Sequence, residues 1–566
     1  MSQTLVTGGV RWSLDDGVRP DALFDAEGLR LNQWLASGAA SVVKDRPKRC
    51  VWRVTLPGLD FYVKYEKPAP KSGVRGLLHV SPAHVEFDRG LELARRGVPV
   101  PEPLAFGEST TGAGGNYLVT RTITDAVPLD VFLELTLPAL PPGRQARLRQ
   151  RVASALGRFL ALLHDAGVEH RDLHPGNMLL RLDEHDRPVL WLIDLLAAHF
   201  GPPLAKSASS ENLVIVNRWF ILRASRSDRL RFWEAYRQAR PQVRDWSVDD
   251  ADGRRYSRQI ERATLRSNLA FWRVRDRRCL GTNRYFRRVR AGALSGHAVA
   301  DLPREVVESF LRDPDAPFAE PDARTLKDSP SSTVAELELT SPSGSMGVVY
   351  KRFALTSWTD PWAALARRPA VLRSWVMGHA LLTRLLVTPR PLLVLQRYRH
   401  GLPREGYLLT EKVPRAIDLG DYATRLGSLP ARARRPLLRQ ALDRVGRALA
   451  IMHERHVSHR DLKAPNVLLR IATDGLTIEE LFFIDLVGVR CHRKLRRLRR
   501  VKNLARLHAS FVRHPVLSRT DKLRLLRAYL DYSLRGRSGW KRWWCQVEEA
   551  TGQKVRRNRR NGRPLR

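Results

Sequence analysis

The sequence predicts an α+β protein in which one large bilobal unit, a small β-rich lobe followed by a larger helical lobe, is used twice. Three observations carry this expectation. The phrase HRDLHPGNMLL at 170–180 returns as HRDLKAPNVLLR at 459–470. Landmarks on either side of the two phrases keep nearly the same spacing. In each copy β-rich runs come first, an apolar helical pattern precedes the phrase, and further helical patterns follow it.

The repeat extends over most of the chain. Asp172 and Asp461, Asn177 and Asn466, and His164 and His453 are all offset by 289 residues. Asp194 in LIDLLAA and Asp485 in FIDLVGV are offset by 291, and SRSDRLRFWEAY (225–236) matches SRTDKLRLLRAY (518–529) at 293. Upstream, VPVPEPLAF near Pro101 matches LVTPRPLLV near Pro389, and YLVTRTI at Tyr117 matches YLLTEKV at Tyr407. A drift this small means duplication of a whole unit with short loop insertions. The expected partition is a first domain at 1–245, a linker and basic pre-domain segment at 246–290, a second domain at 291–545, and a frayed basic tail at 546–566.

The elements follow in order. WRVTLPGLDFYVKY reads as a hairpin turning at LPGLD, and ELELTSPSGSMGVVYKRF as its counterpart turning at SPSGS. Val152, Leu156, Phe159, Leu160 and Leu163 keep helical spacing and place a buried helix before HRD; Leu442, Val445, Leu449 and Met452 do the same in the second copy. Asp228 and Asp521 are the expected N-caps of the late LRxx(W/L)xAY helices.

Composition narrows the class. In 566 residues, 43% hydrophobic and 8% aromatic side chains exclude widespread disorder. Lys and Arg number 98 against 58 Asp and Glu, a formal charge of +40 that favours polyanions without choosing among them. Cys50, Cys279, Cys491 and Cys545 are scattered, which argues against both a disulfide framework and a zinc site. MSQTLVTGGVRWSLDDG lacks the basic and apolar regions of a signal peptide, and no apolar run reaches the length of a membrane span. The expected compartment is the cytoplasm.

The HRD-to-Asn spacing is the one that phosphoryl-transfer enzymes use to hold a base and a metal ligand on one short loop. Asp172 and Asp461 stand where a carboxylate takes the proton of the acceptor hydroxyl. Asn177 with Asp194, and Asn466 with Asp485, are the oxygen donors expected to hold Mg2+, a hard cation. Lys64 in FYVKY and Lys351 in VVYKRF end β-rich runs, as a lysine gripping nontransferred phosphates requires. Glu86 in SPAHVEFDRGLELARRG is the acid that would aim Lys64. The matching place in the second copy is Ser374, with no acid nearby, so Lys351 is expected to be unpartnered. Two residues after the base stand His174 and Lys463, the latter placed to touch the γ-phosphate. His170 and His459 are read as structural, Arg171 and Arg460 as orienting the loop, and His164 and His453 as satisfied core histidines.

Together these residues resemble the protein-kinase-like superfamily, and within it the lipopolysaccharide kinase (Kdo/WaaP) branch. The branch is favoured by IDL in place of DFG, by the (S/T)DxLRxxxAY helix, and by SPAxxEFxxxxxLxxxGVPxPEPLAFGE. The resemblance implies two tandem protein-kinase-like bilobal domains. It also implies ATP with Mg2+, and a sugar hydroxyl of a lipopolysaccharide core or related glycolipid as acceptor, met at the inner membrane face. It assigns Lys64, Glu86, Asp172, Asn177 and Asp194 to unit one, and Lys351, Lys463, Asp461, Asn466 and Asp485 to unit two. Two rivals stand beside it: a protein Ser/Thr kinase, favoured by HRDLKAPN, and a pseudokinase scaffold with one or both units inactive. The pattern departs from protein kinases in two places. Neither unit has an APE motif, and LASGAASVVKDRPKRC and LKDSPSSTVAEL stand where GxGxxG would be.

Two basic stretches complete the reading. Residues 490–513 contain no acid, and Leu495, Leu498, Val501, Leu504 and Leu507 line them. This predicts an apolar stripe on the helical lobe and a basic face free for anionic membrane or solvent. The aromatic, basic run at 263–290 sits in no nucleic-acid-binding motif, so no specific nucleic acid is expected.

Overall fold

A computed structural model describes residues 3–15, 17–68, 81–110, 114–241, 250–341, 344–355, 368–532 and 539–562. The chain forms two compact units, 1–267 and 268–566, both mixed α and β.

Unit one begins with a seven-stranded sheet. Its spatial order is Gln3–Thr7, Val10–Leu14, Pro103–Ser109, Asn116–Arg121, Leu59–Glu66, Arg49–Leu56 and Ala40–Arg46. Every pairing in it is antiparallel. Alternation along Leu59–Glu66 sends Phe61 and Val63 into a core with Trp12, Leu14, Val54 and Val119, and turns Lys64 to the opposite face. That face is covered by the helix Pro82–Arg95, where Ala83 and Phe87 pack on Phe106 and Leu118. Ser81 caps this helix by accepting from the His84 amide at 3.1 Å, and Pro82 follows at the first helical position.

The second part is helical around two small sheets. The long helix Pro142–Asp165 buries Leu148, Val152, Leu156, Phe159, Leu160 and Leu163, as the spacing predicts. Against it lies Arg226–Gln238. At the crossing, a β-carbon on Gly157 would stand 2.4 Å from the Phe232 carbonyl oxygen and 2.9 Å from the Tyr236 nitrogen. Only glycine lets the two backbones approach this closely. Val168–His170 pairs with Ala198–Phe200, while Met178–Leu182 lies between Val127–Pro128 and Pro188–Leu192.

Unit two repeats this order: Phe286–Ala291, Leu294–Val299, Pro391–Arg399, Leu402–Glu411, Gly344–Phe353, Ser332–Ser341 and Arg324–Ser329 form its large sheet. Ala370–Thr383 covers the Lys351 face, and Ala431–Glu454 packs against Arg519–Tyr532. Gly446 stands where Gly157 does, its β-carbon position 2.9 Å from both the Leu525 oxygen and the Tyr529 nitrogen.

Several expectations need correcting. The late helices are capped by Ser225 and Ser518, not by the aspartates. Each serine hydroxyl accepts from the Asp228 or Asp521 amide, at 3.1 and 3.2 Å, and donates to the same carboxylate, at 2.5 and 2.6 Å. This is a capping box with aspartate in the third helical position. Within the expected linker, residues 246–249 lie outside the described residues, whereas Asp250–Arg275 is helical and Phe286–Ala291 already belongs to the sheet of unit two. The expected tail is ordered as the helix Trp540–Arg560 up to its last described residues, because Trp543, Val547 and Thr551 are buried. The SPSGS turn includes residues 342–343, which are outside the described residues. In Arg497–Ser510 the basic face is not wholly free: Arg500 is 5% exposed and pairs with Glu454 at 2.6 Å, whereas Leu498, assigned to the buried stripe, is 63% exposed.

No described helix is long and apolar enough to cross a membrane. The four cysteines are unbridged.

Gly157→Ala is expected to destabilise unit one by about 1–3 kcal/mol through forced separation of the two helices. Gly446→Ala should do the same to unit two. Thermal melting of the full chain with each variant checks this.

Candidate functional site

The site of unit one is assembled from four segments. Lys64, in the strand Leu59–Glu66, forms an ion pair with Glu86, which is 5% exposed on the helix Pro82–Arg95. Three residues along that helix, Arg89 donates to the carbonyl of Leu195 at 3.2 Å and also to that of Leu196. The acid helix is thereby tied to the turn that directly follows Asp194.

Asp194 has φ 59° and ψ 62°, a left-handed conformation unusual for a residue other than glycine. It is held there from below. His170, fully buried, donates from Nε2 to the Asp194 carbonyl at 3.0 Å. On the HRD loop, Asn177 donates from Nδ2 to the Asp172 carbonyl at 2.8 Å, and the Ile193 amide donates to the Asn177 carbonyl at 2.9 Å. Its amide nitrogen so engaged, Asn177 keeps its side-chain oxygen available. The Asp172 carboxylate is open to solvent, with His174 Nε2 at 3.8 Å. Lys64, Glu86, Asp172, Asn177 and Asp194 are thus linked through a short chain of contacts.

Beneath the loop lies a buried network that the motif reading missed. Asn212 donates to the His170 carbonyl at 2.8 Å, and its Oδ1 faces His164 Nε2 at 3.3 Å. His164 Nδ1 meets the Tyr236 hydroxyl at 2.6 Å, and Arg240 donates to that hydroxyl at 2.9 Å. These partners fix a neutral imidazole with its proton on Nε2. Burial drives His164 down to about 3 and lowers His170, so neither is charged near neutrality. The same network recurs in unit two. His453 contacts Tyr529 at 2.9 Å and Asn503 at 3.1 Å, and Asn503 donates to the His459 carbonyl at 3.0 Å. Burial also takes His453 to about 3. The signal was available in the repeat, because Asn212-Leu213 and Asn503-Leu504 keep the 291 offset of Asp194 and Asp485.

Unit two departs from unit one at the lysine. Lys351 is not unpartnered as expected; its Nζ lies 3.3 Å from Asp485 Oδ1. Ser374, in the place of Glu86, is 3% exposed and donates to the Ala370 carbonyl at 3.2 Å. With no carboxylate on the helix, the nearest anion left to the lysine is Asp485. Asn466 donates to the Asp461 carbonyl at 2.7 Å and also faces Asp461 Oδ2 at 3.3 Å. Lys463 reaches the same carboxylate at 3.7 Å. Asp485 is left-handed like Asp194, but His459 Nε2 donates one residue earlier, to the Ile484 carbonyl at 2.9 Å.

The donor sets contain only oxygen: Asn177 and Asp194, and Asn466 and Asp485. They would suit a hard divalent cation. Among the described residues no cluster of three or more His, Cys, Asp or Glu forms a self-sufficient metal centre. A cavity of about 450 Å³ in the helical part of unit one, lined by Val152, Leu156, Leu213, Val216 and Trp233, contains none of these site residues. The corresponding space in unit two is about 70 Å³, with Trp544 and Val547 of the final helix among its lining.

An open carboxylate, an amide–carboxylate pair and an acid-paired lysine are the set that an ATP-dependent kinase uses, and the chain is a phosphotransferase of that class. The chain belongs to the lipopolysaccharide kinase (Kdo/WaaP) family, whose profile matches residues 70–236 and again 358–529. It is 27% identical over 209 residues to the lipopolysaccharide core heptose(I) kinase WaaP of Pseudomonas aeruginosa, covering 34% of this chain and 76% of the relative. It is 35% identical over 131 residues to the 3-deoxy-D-manno-octulosonic acid kinase of Photobacterium profundum, covering 22% of this chain and 45% of that one. A solved structure, WaaP in complex with acyl carrier protein, aligns at a TM-score of 0.32 and 23% identity, covering 45% of this chain and 99% of that one.

The buried histidines set a pH dependence. Their folded pKa is depressed below the unfolded value near 6.5, so below that value the unfolded chain binds protons that the native chain does not. Stability is therefore whole above pH 7 and lost as pH falls through 6.5, with a slope approaching about 1.4 kcal/mol per pH unit for each histidine. Urea unfolding at pH 7.5, 6.5 and 5.5 should show the midpoint falling, and His164→Gln should flatten the slope for unit one.

Proposed function

We propose that each unit is a protein-kinase-like bilobal domain, with boundaries near 1–267 and 268–566, and that unit one phosphorylates a sugar hydroxyl of a lipopolysaccharide core. ATP is the donor. The observation that carries this reading is the complete set in unit one, Lys64 with Glu86 and Asp172 with Asn177 and Asp194, in a chain matched twice by the family profile.

In this mechanism Lys64, held by Glu86, grips the nontransferred phosphates. The open Asp172 carboxylate orients the acceptor hydroxyl and takes its proton as the γ-phosphoryl group is attacked in line. Asn177 and Asp194 would hold Mg2+, which in this chemistry neutralises charge on the phosphates. Because His170 is buried and neutral, it serves to position the Asp194 backbone and does not exchange protons. Arg89 keeps the acid helix and the Asp194 turn together, so that the lysine and the metal ligands stay in one geometry.

Unit two has the same base and oxygen donors, with Asp461, Asn466, Asp485 and Lys463, but its Lys351 rests on Asp485. Binding of Mg2+ and nucleotide there must first separate that ion pair. This favours unit one as the faster catalyst and leaves unit two with slower transfer or a nucleotide-binding role. The basic surface of both units suits the anionic phosphates of such a glycolipid, at a membrane face or free of it.

Magnesium-dependent transfer of γ-phosphate to lipopolysaccharide core acceptors, measured for the full chain and for Asp172→Ala, Asp461→Ala and the double variant, tests the reading. Asp172→Ala is expected to lower kcat by at least about 10²-fold, Asp461→Ala by much less, and the double variant should be inactive. Nucleotide binding without transfer to any sugar would favour the scaffold. Transfer to protein instead would favour the Ser/Thr kinase reading.

A further inference from the structure

The hairpin that stands in place of a glycine-rich loop has its own device, and both units carry it. In unit one, the pairing of Ala40–Arg46 with Arg49–Leu56 slips between Val42 and Lys44, leaving Val43 as the extra residue of a bulge. Without the slip Lys44 would face Cys50. With it, Lys44 pairs with Val51, and Val51 pairs with Lys64 on the next strand. Residues paired directly across antiparallel strands share a face. Lys44 is thereby placed on the Lys64 face of the sheet, two strands away, or roughly 10 Å between backbones. This is the face turned from the Phe61 and Val63 core and toward the helix that bears Glu86.

Unit two makes the same slip at the same place. The register shifts between Thr325 and Lys327, Lys327 pairs with Val334, and Val334 pairs with Lys351. The residues around the turn have otherwise diverged: Arg46, Lys48, Arg49 and Cys50 stand opposite Ser329, Ser331, Ser332 and Thr333. What the two hairpins keep is Lys-Asp-x-Pro and the bulge before it. Bulges concentrate beside active sites because the extra residue re-aims a side chain.

Of the cations on this hairpin and the strand beside it, Arg49 and Lys67 are paired with carboxylates. Arg49 pairs with Glu66 at 2.8 Å and Lys67 with Asp45 at 2.9 Å. Among the described residues Lys44 and Lys327 form no ion pair. Lys44 is held below its ordinary pKa by partial burial and by Arg46, Arg49 and Lys64, opposed by the field of Asp194. An exposed cation on this face, in the field of Asp194 and beside Lys64, is suited to a polyanion bound there.

We propose that Lys44 and Lys327 contact the phosphate chain of the bound nucleotide, doing with a side chain on a bulged strand what a glycine-rich loop does with backbone N–H groups. The inference rests on the nucleotide-binding reading given above and adds the residue that covers the phosphates. Lys64 and Lys351 grip the chain from one strand, and Lys44 and Lys327 close over it from two strands away.

The test compares equilibrium binding of ATP and of adenosine, which lacks phosphates, to the full-length chain by calorimetry. Lys44→Ala with Lys327→Ala should weaken ATP by about tenfold or more, as expected for loss of a charge-assisted contact at each site. Adenosine should stay within about twofold. Lys44→Arg with Lys327→Arg should retain most of the ATP affinity, and Lys48→Ala, at the hairpin turn, should leave it unchanged. If wild type binds ATP and the double variant binds it equally well, the inference is wrong while the proposed function stands. An equal loss of ATP and adenosine would also overturn it, because the lysines would then be supporting the fold. If wild type binds neither ligand, the nucleotide-binding reading itself fails.

Discussion

Asn212, with its counterpart Asn503, is the point on which the rest of each site depends. Its amide group lies between two buried imidazoles, donating to the backbone of His170 and accepting on the side of His164. One side of that contact belongs to the helix before the HRD loop, and the other to the loop itself. A buried amide left without these partners would carry a desolvation cost of about 1–3 kcal/mol, so the helix, the loop and the following helix are held in one arrangement. From His170 the constraint passes to the Asp194 backbone, which is kept left-handed. From Asp194 it passes through Arg89 to the helix carrying Glu86, and so to Lys64. Of the candidate residues, Asp172, Asn177 and Asp194 lie on the HRD loop and at a strand end, Lys64 on a strand and Glu86 on a helix. The HRD loop among them is braced from beneath by a buried polar network.

Duplication has preserved this frame and relaxed what sits on it. His453, Asn503 and Tyr529 reproduce the network closely, and Gly446 reproduces the helix crossing of Gly157. At the lysine the two copies differ in charge balance. A buried glutamate in unit one gives Lys64 a partner outside the metal site. A buried serine in unit two gives none, and Lys351 turns to the carboxylate that would hold the metal. One side chain, Glu86 or Ser374, thus decides whether the lysine pairs with the acid helix or with the aspartate of the IDL turn.

Much of this was legible in the sequence because two copies were present to compare. Paired offsets picked out Asp172, Asn177 and Asp194, which the structure joins through backbone contacts, and helical spacing placed the core of Pro142–Asp165. Where the reading failed, the cause was a competing local effect. Ser225 and Ser518 took the caps because a hydroxyl reaches the amide three residues on while the aspartate, already inside the first turn, returns the bond. The final helix was read as frayed because its charged residues outnumber Trp543, Val547 and Thr551, although those three are what bury it. Arg500 looked like part of a free basic face until Glu454, far away in sequence, supplied its partner.

By itself the sequence determined the repeat, the mixed fold and the family to which the chain belongs. These follow from residue type and spacing, which are local properties of the chain. Only the tertiary structure decided which groups are partners: Lys351 with Asp485, Asn212 between His164 and His170, and Lys44 in the row of Lys64. The first two depend on packing that brings segments distant in the chain within a few ångströms, and the third on a register slip in the sheet. Short-range electrostatics and hydrogen bonding act only at such separations, and spacing along the chain does not encode them.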